Sequence, residues 1–283
     1  MSHSTRLPGV RLSFRDVDRE IGSSYSSHAS ERREAWTAGT EVLRHAEESR
    51  MPGAELRTIP PLLERPQAAI ALAASSGAMN AWTLANAGSF ATVQSGNIVA
   101  VGFYGAQQDP ARVIPVLLSV LAFGLGAFLC AIVVALVEGR GHKYSPWILA
   151  VEAIVVATSA ALASAVPSMA IAITVSFIAG IQGNAFHRNS GVIYGNTAVT
   201  FVVQMTLSAL GRATVSRIKA DREPVLRIAG LYGSVVLAFA FGAAAGFLLD
   251  TVWRAASLVA VSVALAILAI VASGARGEVD PMY

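Results

Sequence analysis

Three polar side chains in the first long apolar run of this 283-residue sequence stand at helical spacing and could contact a polar solute. Ser76, Asn80 and Thr83 are separated by four and then three residues, so a helix presents them on one face. Such a stripe either lines a path for a solute or forms interhelical hydrogen bonds worth about 1 kcal/mol each inside a bilayer. The spacing leaves both hypotheses open.

Two related motifs begin the two least hydrophobic apolar stretches: Ser95-Gly96-Asn97 and Tyr194-Gly195-Asn196-Thr197. If a helix begins at each motif, its free N–H groups and dipole could bind an anion or a polar solute. Alternatively, Ser95, Asn97 and Asn196 cap these short helices themselves. Because one site can do both, we take as candidate substrate-binding residues Ser95, Gly96, Asn97, Gly195, Asn196 and Thr197.

Glu152 is the carboxylate that lies well inside an apolar run. A charge at such a position costs several kcal/mol unless it is paired, protonated or close to the membrane interface. We therefore take Glu152 as a candidate residue for coupling to a proton or a cation. The alternatives are that it reaches the headgroups or pairs with Arg140 or Lys143.

A further polar group comprises Gln182, Asn184 and His187, of which the first two are candidate substrate-binding residues. No second His or Cys stands at metal-ligand spacing, so we predict no metal site and no cofactor. The single cysteine, Cys130, lies in an apolar run and is expected to be a packing residue. The sequence contains no Gly-x-Ser-x-Gly motif, no Walker loop and no carboxylate pair in an apolar run, so we predict no catalytic residues and no enzyme.

Long apolar segments must position these residues, because 54% of the chain is hydrophobic and 14% is charged. A helix needs about 20 apolar residues to cross a bilayer core. Six segments reach or nearly reach this length: 68–87, 113–137, 147–166, 169–186, 226–249 and 255–273. The stretches 93–106 and 193–211 are shorter or more polar. We therefore predict an all-α, polytopic transmembrane bundle of about six spanning helices plus two short or re-entrant helices, with eight spans as the alternative.

Charge divides the chain into a polar extension and a membrane part. Residues 1–67 hold ten of the 21 Lys/Arg and ten of the 18 Asp/Glu, so the net charge of +3 belongs to the remainder. We predict a largely disordered cytoplasmic extension over 1–67, a transmembrane domain over 68–275 and a tail over 276–283. The basic residues of the membrane part lie between apolar runs and form no continuous stripe, so no nucleic acid partner is expected.

The positions of the basic residues also favour one topology, because cytoplasmic loops are enriched in Lys and Arg. If the stretches 93–106 and 193–211 enter the membrane and leave it on the same side, nine basic residues of the membrane part lie inside and two outside. Eight spans place seven inside and four outside. Six spans with both termini cytoplasmic are therefore favoured, and the cluster 212–227 is inside in both arrangements.

The order of the elements repeats in two halves, about 68–166 and 167–275. Each half has a helix with polar residues, a motif with Gly-Asn, a long run containing Phe-Gly and a final span. Six spans make the halves inverted, as in many secondary transporters, whereas eight spans make them parallel. Gly242 and Gly246 form a Gly-x-x-x-Gly face for close helix packing, either within the chain or in a homo-oligomer.

The motifs resemble those of the YoaK-like family of bacterial multipass membrane proteins, a domain of unknown function. Gly77-Ala78-Met79-Asn80 and Ser95-Gly96-Asn97 are similar to its Gly-x-x-Asp and Thr-Gly-Asn elements, and 180–185 and 194–197 to its second-half elements. The resemblance covers about 68–275 and implies the fold and a membrane location. Asn80 stands where the family has Asp, Ser95 replaces Thr, and Gly183 is inserted between Gln182 and Asn184. The missing carboxylate at Asn80 argues against a mechanism that needs a proton or a cation there.

The sequence thus favours a multipass protein of the bacterial cytoplasmic membrane, with the lipid bilayer as partner. The leading hypothesis is a secondary transporter or channel for a small polar or ionic solute. The alternative is a structural or accessory membrane protein in which the polar residues only hold helices together.

Cysteine labelling tests the topology. In a Cys130→Ala background, a cysteine introduced at Gly141 should react with a membrane-impermeant maleimide only after the membrane is broken, because six spans place the Arg140 loop in the cytoplasm. Labelling of intact spheroplasts would instead support eight spans. A cysteine at Gln108, in the loop before Arg112, should give the opposite pattern and serves as the control.

Overall fold

The computed structural model describes residues 66–137, 144–186, 199–215 and 219–274, with the backbone alone for 137, 188–189, 192–193 and 219–222. These residues belong to one compact unit, Ile59–Tyr283. Several features predicted from the sequence lie outside the described residues: most of the 1–67 extension, the 276–283 tail, Arg140, Lys143, His187 and Tyr194-Gly195-Asn196-Thr197.

The described residues form eight helices, numbered in chain order: α1 (Pro66–Ala87), α2 (Gln94–Ala106), α3 (Pro110–Val137), α4 (Ser145–Ala161), α5 (Ser168–Ala185), α6 (Val199–Val215), α7 (Lys219–Val252) and α8 (Ala256–Gly274). Between α5 and α6, the two-residue strands β1 (Arg188–Asn189) and β2 (Val192–Ile193) pair antiparallel. The predicted all-α bundle is confirmed for this part of the chain.

Four of these helices are long and apolar enough to cross a membrane: α3, α5, α7 and α8. The apolar helices α4 and α6 have 17 residues each, which is about 26 Å at 1.5 Å per residue. Helix α1 has 22 residues and packs against α5, α7 and α8. The outer surface is apolar, since large side chains such as Phe128 and Phe241 are more than 60% exposed. Such a surface is that of a membrane protein.

Three helix boundaries differ from the predicted ones by more than four residues. Helix α7 begins at Lys219 rather than at residue 226. Helix α4 ends at Ala161 rather than at residue 166, because residues 162–166 form a turn before Pro167, and a residue that precedes proline disfavours the helical conformation. Helix α6 begins at Val199 rather than at residue 193, because Val192–Ile193 belongs to β2.

The main core lies between α1, α4, α5 and α8. Its largest fully buried side chains include Trp82 from α1, Leu149 from α4, Ile178 from α5 and Leu258 from α8. A smaller cluster joins α1, α6 and α7 through Ala69, Ala73, Val202, Tyr232 and Val235. The spanning elements of both predicted halves therefore share one core.

Glycines on α7 let this helix approach α1 backbone to backbone. A Cβ at Gly242 would lie 2.0 Å from the Ala74 carbonyl oxygen, and a Cβ at Gly246 would lie 2.9 Å from the Ala78 Cα. Both contacts advance by four residues in the same direction, so α1 and α7 run parallel. The Gly-x-x-x-Gly face is thus occupied within the chain.

Helices α3 and α5 approach each other in the same way. A Cβ at Gly126 would lie 2.0 Å from the Phe177 carbonyl oxygen. Four residues further along α3, the Cys130 side chain forms a hydrogen bond with Asn184 of α5. Because both helices advance in the same sense between the two contacts, α3 and α5 are also parallel.

Helices α4 and α8, in contrast, are antiparallel. The Ser262 hydroxyl of α8 donates to the Ala153 carbonyl oxygen at the middle of α4 (2.9 Å). At the start of α4, Trp147 lies beside the same cleft as Ser273 at the end of α8. The helices therefore run in opposite directions.

One hydrogen bond relates these pairs to a common end of the bundle. The Arg254 guanidinium, between α7 and α8, donates to the Ser168 hydroxyl at the start of α5 (3.2 Å). We call this end the Arg254 face and the opposite end the Arg212 face. Helix α7 ends at the Arg254 face, so α1, which is parallel to it, also ends there. Helix α5 begins at the Arg254 face, so α3, which is parallel to it, also begins there. Helix α2, which connects them, therefore leaves from and returns to the same face.

The glycine contacts predict a sharp contrast between two alanine substitutions. Gly77→Ala should destabilise the protein by more than about 3 kcal/mol, because its Cβ would lie 2.0 Å from the Phe239 carbonyl oxygen. Gly124→Ala, where nothing lies within 4 Å of the added Cβ, should stabilise α3 by up to about 1 kcal/mol. Thermal unfolding in detergent measures both changes, and equal effects would contradict the backbone contact.

Candidate functional site

The six residues between α1 and α2 fold back into the bundle. Helix α1 ends at Ala87, and Gly88 then adopts a left-handed conformation (φ +66°) with its N–H bonded to the Leu84 carbonyl oxygen (3.1 Å). The chain returns along α1 until the buried Thr92 lies beside Asn80, seven residues before the helix end. At 1.5 Å per residue, the segment reaches about 10 Å below the end of α1. We call residues 88–93 the inserted loop.

Asn80 and Thr83 hold the inserted loop in place. The Asn80 Oδ1 accepts from the Thr92 N–H (3.0 Å), and its Nδ2 donates to the Thr92 Oγ1 (2.5 Å) and to the Ser76 carbonyl oxygen (3.0 Å). The Thr83 hydroxyl accepts from the Ala91 N–H (3.1 Å). Both residues of the stripe thus satisfy buried backbone, which favours a hydrogen-bonding role over a solute-lining one. Ser76, the third, is also buried, but its hydroxyl has no hydrogen-bond partner among the described residues.

Asn97 binds the other side of the same loop. Its Oδ1 accepts from the Phe90 N–H (2.9 Å), and its Nδ2 donates to the Phe90 carbonyl oxygen (2.7 Å) and to the Gln94 Oε1 (2.9 Å). The N-cap of α2 is Val93, which makes no side-chain cap bond. The amide therefore satisfies the backbone of the loop rather than the end of its own helix.

The other residues of that motif serve packing or face outward. Gly96 lies against the Phe90 ring, whose carbons would be 3.0 Å from an added Cβ. Ser95 is exposed on the outside of α2. Of the first motif, only Asn97 points a polar side chain into the bundle.

A second polar group lies in the core between α4 and α5. Glu152 of α4 and Gln182 of α5 are both fully buried, with 0% exposure. Neither carboxylate oxygen of Glu152 and neither amide atom of Gln182 has a hydrogen-bond partner among the described residues. The Ser176 hydroxyl of α5 is also buried and unpaired. Burial shows that Glu152 does not extend to the surface.

Helix α3 contributes to the same region. Asn184, two residues after Gln182 on α5, forms a hydrogen bond with the Cys130 side chain of α3. The Cys130 thiol is also close enough to Glu152 for an electrostatic interaction. Helices α3, α4 and α5 therefore bring Glu152 and Asn184 close to Cys130. Gln182, two residues before Asn184, points to the other side of α5. Asn80 and Asn97, in contrast, bind the inserted loop.

An open groove beside Asn80 has a volume of about 380 Å³. Apart from Asn80, its lining is apolar and comes from α1, α7 and the inserted loop, including Leu84, Phe90, Phe239 and Phe247. This composition suits a lipid chain better than a polar solute.

Sequence reasoning missed Ser176, Thr92 and the Ser89–Ser119 contact (3.3 Å between hydroxyls). A single Ser or Thr in an apolar helix is common and carries no specific signal. The spacing of Thr92 from Asn80 could have indicated their contact, but only if the chain was known to turn back at Gly88.

Comparison with known proteins places the chain in a family. Residues 68–271 match the family model described as "Protein of unknown function (DUF1275)". This match confirms the resemblance inferred from the sequence motifs. No curated protein matches the chain. No solved structure matches it either.

The loop contacts predict different costs for two asparagines of α1. Asn80→Ala should lower the free energy of unfolding by about 2–3 kcal/mol, because it leaves the buried Thr92 N–H unpaired. Asn86→Ala should change it by less than about 0.5 kcal/mol, since the exposed Asn86 only bonds the Trp82 carbonyl oxygen of its own helix (2.9 Å). Thermal unfolding in detergent compares the two, and equal shifts would show that the loop is held by other contacts.

Proposed function

We propose that this chain, which belongs to the DUF1275 family of proteins of unknown function, is a permease for a small polar or ionic solute in the bacterial cytoplasmic membrane. The observation that carries the proposal is the inserted loop together with the unpaired polar groups of the core. Loops that interrupt the helical order inside a membrane occur where they line a cavity or are buried in protein. Interrupted elements of this kind form the solute sites of secondary transporters.

An internal repeat supports this assignment. The contacts of Gly77 with the Phe239 oxygen and of Gly180 with the Phe123 oxygen have the same geometry, with 2.0 Å from the added Cβ in each. The first helix of each half thus packs against the third helix of the other half. Exchanging the two halves also turns the contact of α1 with α8 into that of α5 with α4. It likewise turns the contact of α2 with α3 into that of α6 with α7.

The helix directions support inverted halves. Under eight spans, α4 and α8 would run parallel and the start of α5 would lie opposite the α7–α8 junction. The antiparallel contact of Ser262 with Ala153 and the Arg254–Ser168 bond favour six spans instead. We propose that the Arg212 face is cytoplasmic, because the sequence around it contains the cluster 212–227.

The second candidate is an accessory membrane protein without transport. The hydrogen bonds of Asn80 and Asn97 favour it, because these amides are fully engaged by the backbone of the inserted loop. The amides of Asn80 and Asn97 therefore have no free hydrogen-bonding atom for a solute. Glu152, Gln182 and Ser176 differ in this respect, and they decide between the two functions.

Flux through proteoliposomes tests the proposal. A panel of small polar and ionic solutes should include one whose uptake exceeds that of empty liposomes. Gln182→Ala should reduce this uptake about tenfold, the equivalent of one lost hydrogen bond of about 1.4 kcal/mol. Thr158→Ala, an exposed residue of α4 that bonds only the Ile154 carbonyl oxygen (2.9 Å), should leave uptake unchanged.

The accessory function predicts a different result. No solute would then cross faster than in empty liposomes or raise the unfolding temperature of the purified protein. Gln182→Ala would change stability alone.

A further inference from the structure

Five buried side chains among the described residues lack the hydrogen bonds that such groups normally make: Ser76, Trp82, Glu152, Ser176 and Gln182. Glu152, Gln182 and Ser176 have 0% exposure, and their side-chain oxygens and the Gln182 amide nitrogen have no partner among the described residues. Most buried polar atoms in proteins are paired, so each exception calls for an explanation such as a bound ion. Asn80 and Asn97, by comparison, are fully paired.

The geometry of α4 and α5 directs two of these groups toward each other. Both helices meet the Arg254 face, where α4 ends at Ala161 and α5 begins at Ser168. At 1.5 Å per residue, the Cα of Glu152 lies about 14 Å from that end and the Cα of Gln182 about 21 Å. Side chains on a helix tilt toward its N-terminus, and α4 and α5 run in opposite directions. The Glu152 and Gln182 side chains therefore tilt toward a common level. Ser176 is about 9 Å from Gln182 along α5 and about a third of a turn away around it. It lies one turn before Gly180, which faces α3, so it is not part of this pair.

We infer that Glu152 and Gln182 form a buried site for a monovalent cation such as Na⁺ or K⁺, which binds in exchange for the proton of Glu152. The carboxylate and the amide oxygen are hard oxygen ligands of the kind that hard cations take. One carboxylate neutralises one positive charge, so a monovalent ion leaves no net charge in the core. The described residues contain no group of three His, Cys, Asp or Glu that would favour a multivalent metal.

Electroneutrality makes the exchange obligatory. A lone carboxylate in an apolar core costs many kcal/mol, so Glu152 holds either a proton or a cation. Loading the cation releases one proton from the carboxyl group, and unloading takes one up, so charge balances in both directions. The sequences of α1, α5 and α8 contain no charged side chain. Cys130 of α3 is the titratable group of the described core that interacts with Glu152.

This site deepens the proposed function by naming a coupling ion, but its occupancy is measurable without any transported solute. Thermal unfolding of the purified full-length chain should shift upward in NaCl or KCl relative to choline chloride at equal ionic strength. Because protons compete for the same carboxyl group, the apparent affinity should increase as pH rises, approaching about tenfold per pH unit where Glu152 is protonated. Adding the salt to weakly buffered protein should release about one proton per chain, detected with an indicator dye.

Variants separate this site from nonspecific salt effects. Glu152→Gln, which mimics the protonated form, should abolish both the cation-dependent shift and the proton release. Gln182→Ala should weaken the apparent affinity about tenfold by removing one ligand. Asp250→Asn is the control, because this carboxylate bonds Ser257 at the start of α8 (2.9 Å to its N–H) and should leave the shift intact.

Three outcomes would overturn the inference: no shift with either cation in the wild type, a shift without proton release, or a shift that persists in Glu152→Gln. If Glu152→Gln does not fold, proton release by the wild type and its weakening in Gln182→Ala decide the question. A cation shift with no solute flux would retain the site and reject the permease. Solute flux without a cation-dependent shift would support the permease and reject the cation site.

Discussion

The backbone of a chain surrounded by hydrocarbon must find its hydrogen-bond partners within the protein, and the inserted loop of this protein depends on that requirement. Residues 88–93 lie about 10 Å below the end of α1, where the loop cannot use helical hydrogen bonds. Asn80, Thr83 and Asn97 supply the missing partners for Ala91, Thr92 and Phe90. Asn80, Thr83 and Asn97 are therefore committed to the backbone, and this commitment separates them from the free polar groups of the core.

Close packing of the helices follows from the same environment. Apolar side chains gain little by leaving lipid for protein, so helix pairs in membranes rely on close backbone approach and van der Waals contact. Gly77 and Gly242 allow it between α1 and α7, and Gly126 and Gly180 allow it between α3 and α5. Both pairs join the first helix of one half to the third helix of the other. The two halves thus pack through exchanged contacts around the core of α1, α4, α5 and α8.

The core contains the opposite situation to the inserted loop. Glu152, Gln182 and Ser176 are as deeply buried as Asn80, yet no backbone group uses them. The parallel pair α3 and α5 brings Cys130 and Asn184 close to Glu152. A protein that only needed to hold its helices together would gain stability by replacing these groups with apolar ones. The proposed cation site would account for Glu152 and Gln182, because a bound ion supplies the partners that they lack.

The sequence by itself determined the class of fold and the positions of most helices, because an apolar run of about 20 residues has few alternatives to a membrane helix. It also predicted the family and the candidate residues by type. It did not determine their roles. Asn97 looked like a cap and pairs with Phe90 instead, and α4 ends before Pro167 although the apolar run continues. Asn80 and Gln182 are both amides in apolar helices, and only the tertiary structure shows that one is bonded to a returning loop and the other is free. Partners distant in sequence decide whether a buried polar group is satisfied, and local pattern does not encode those partners.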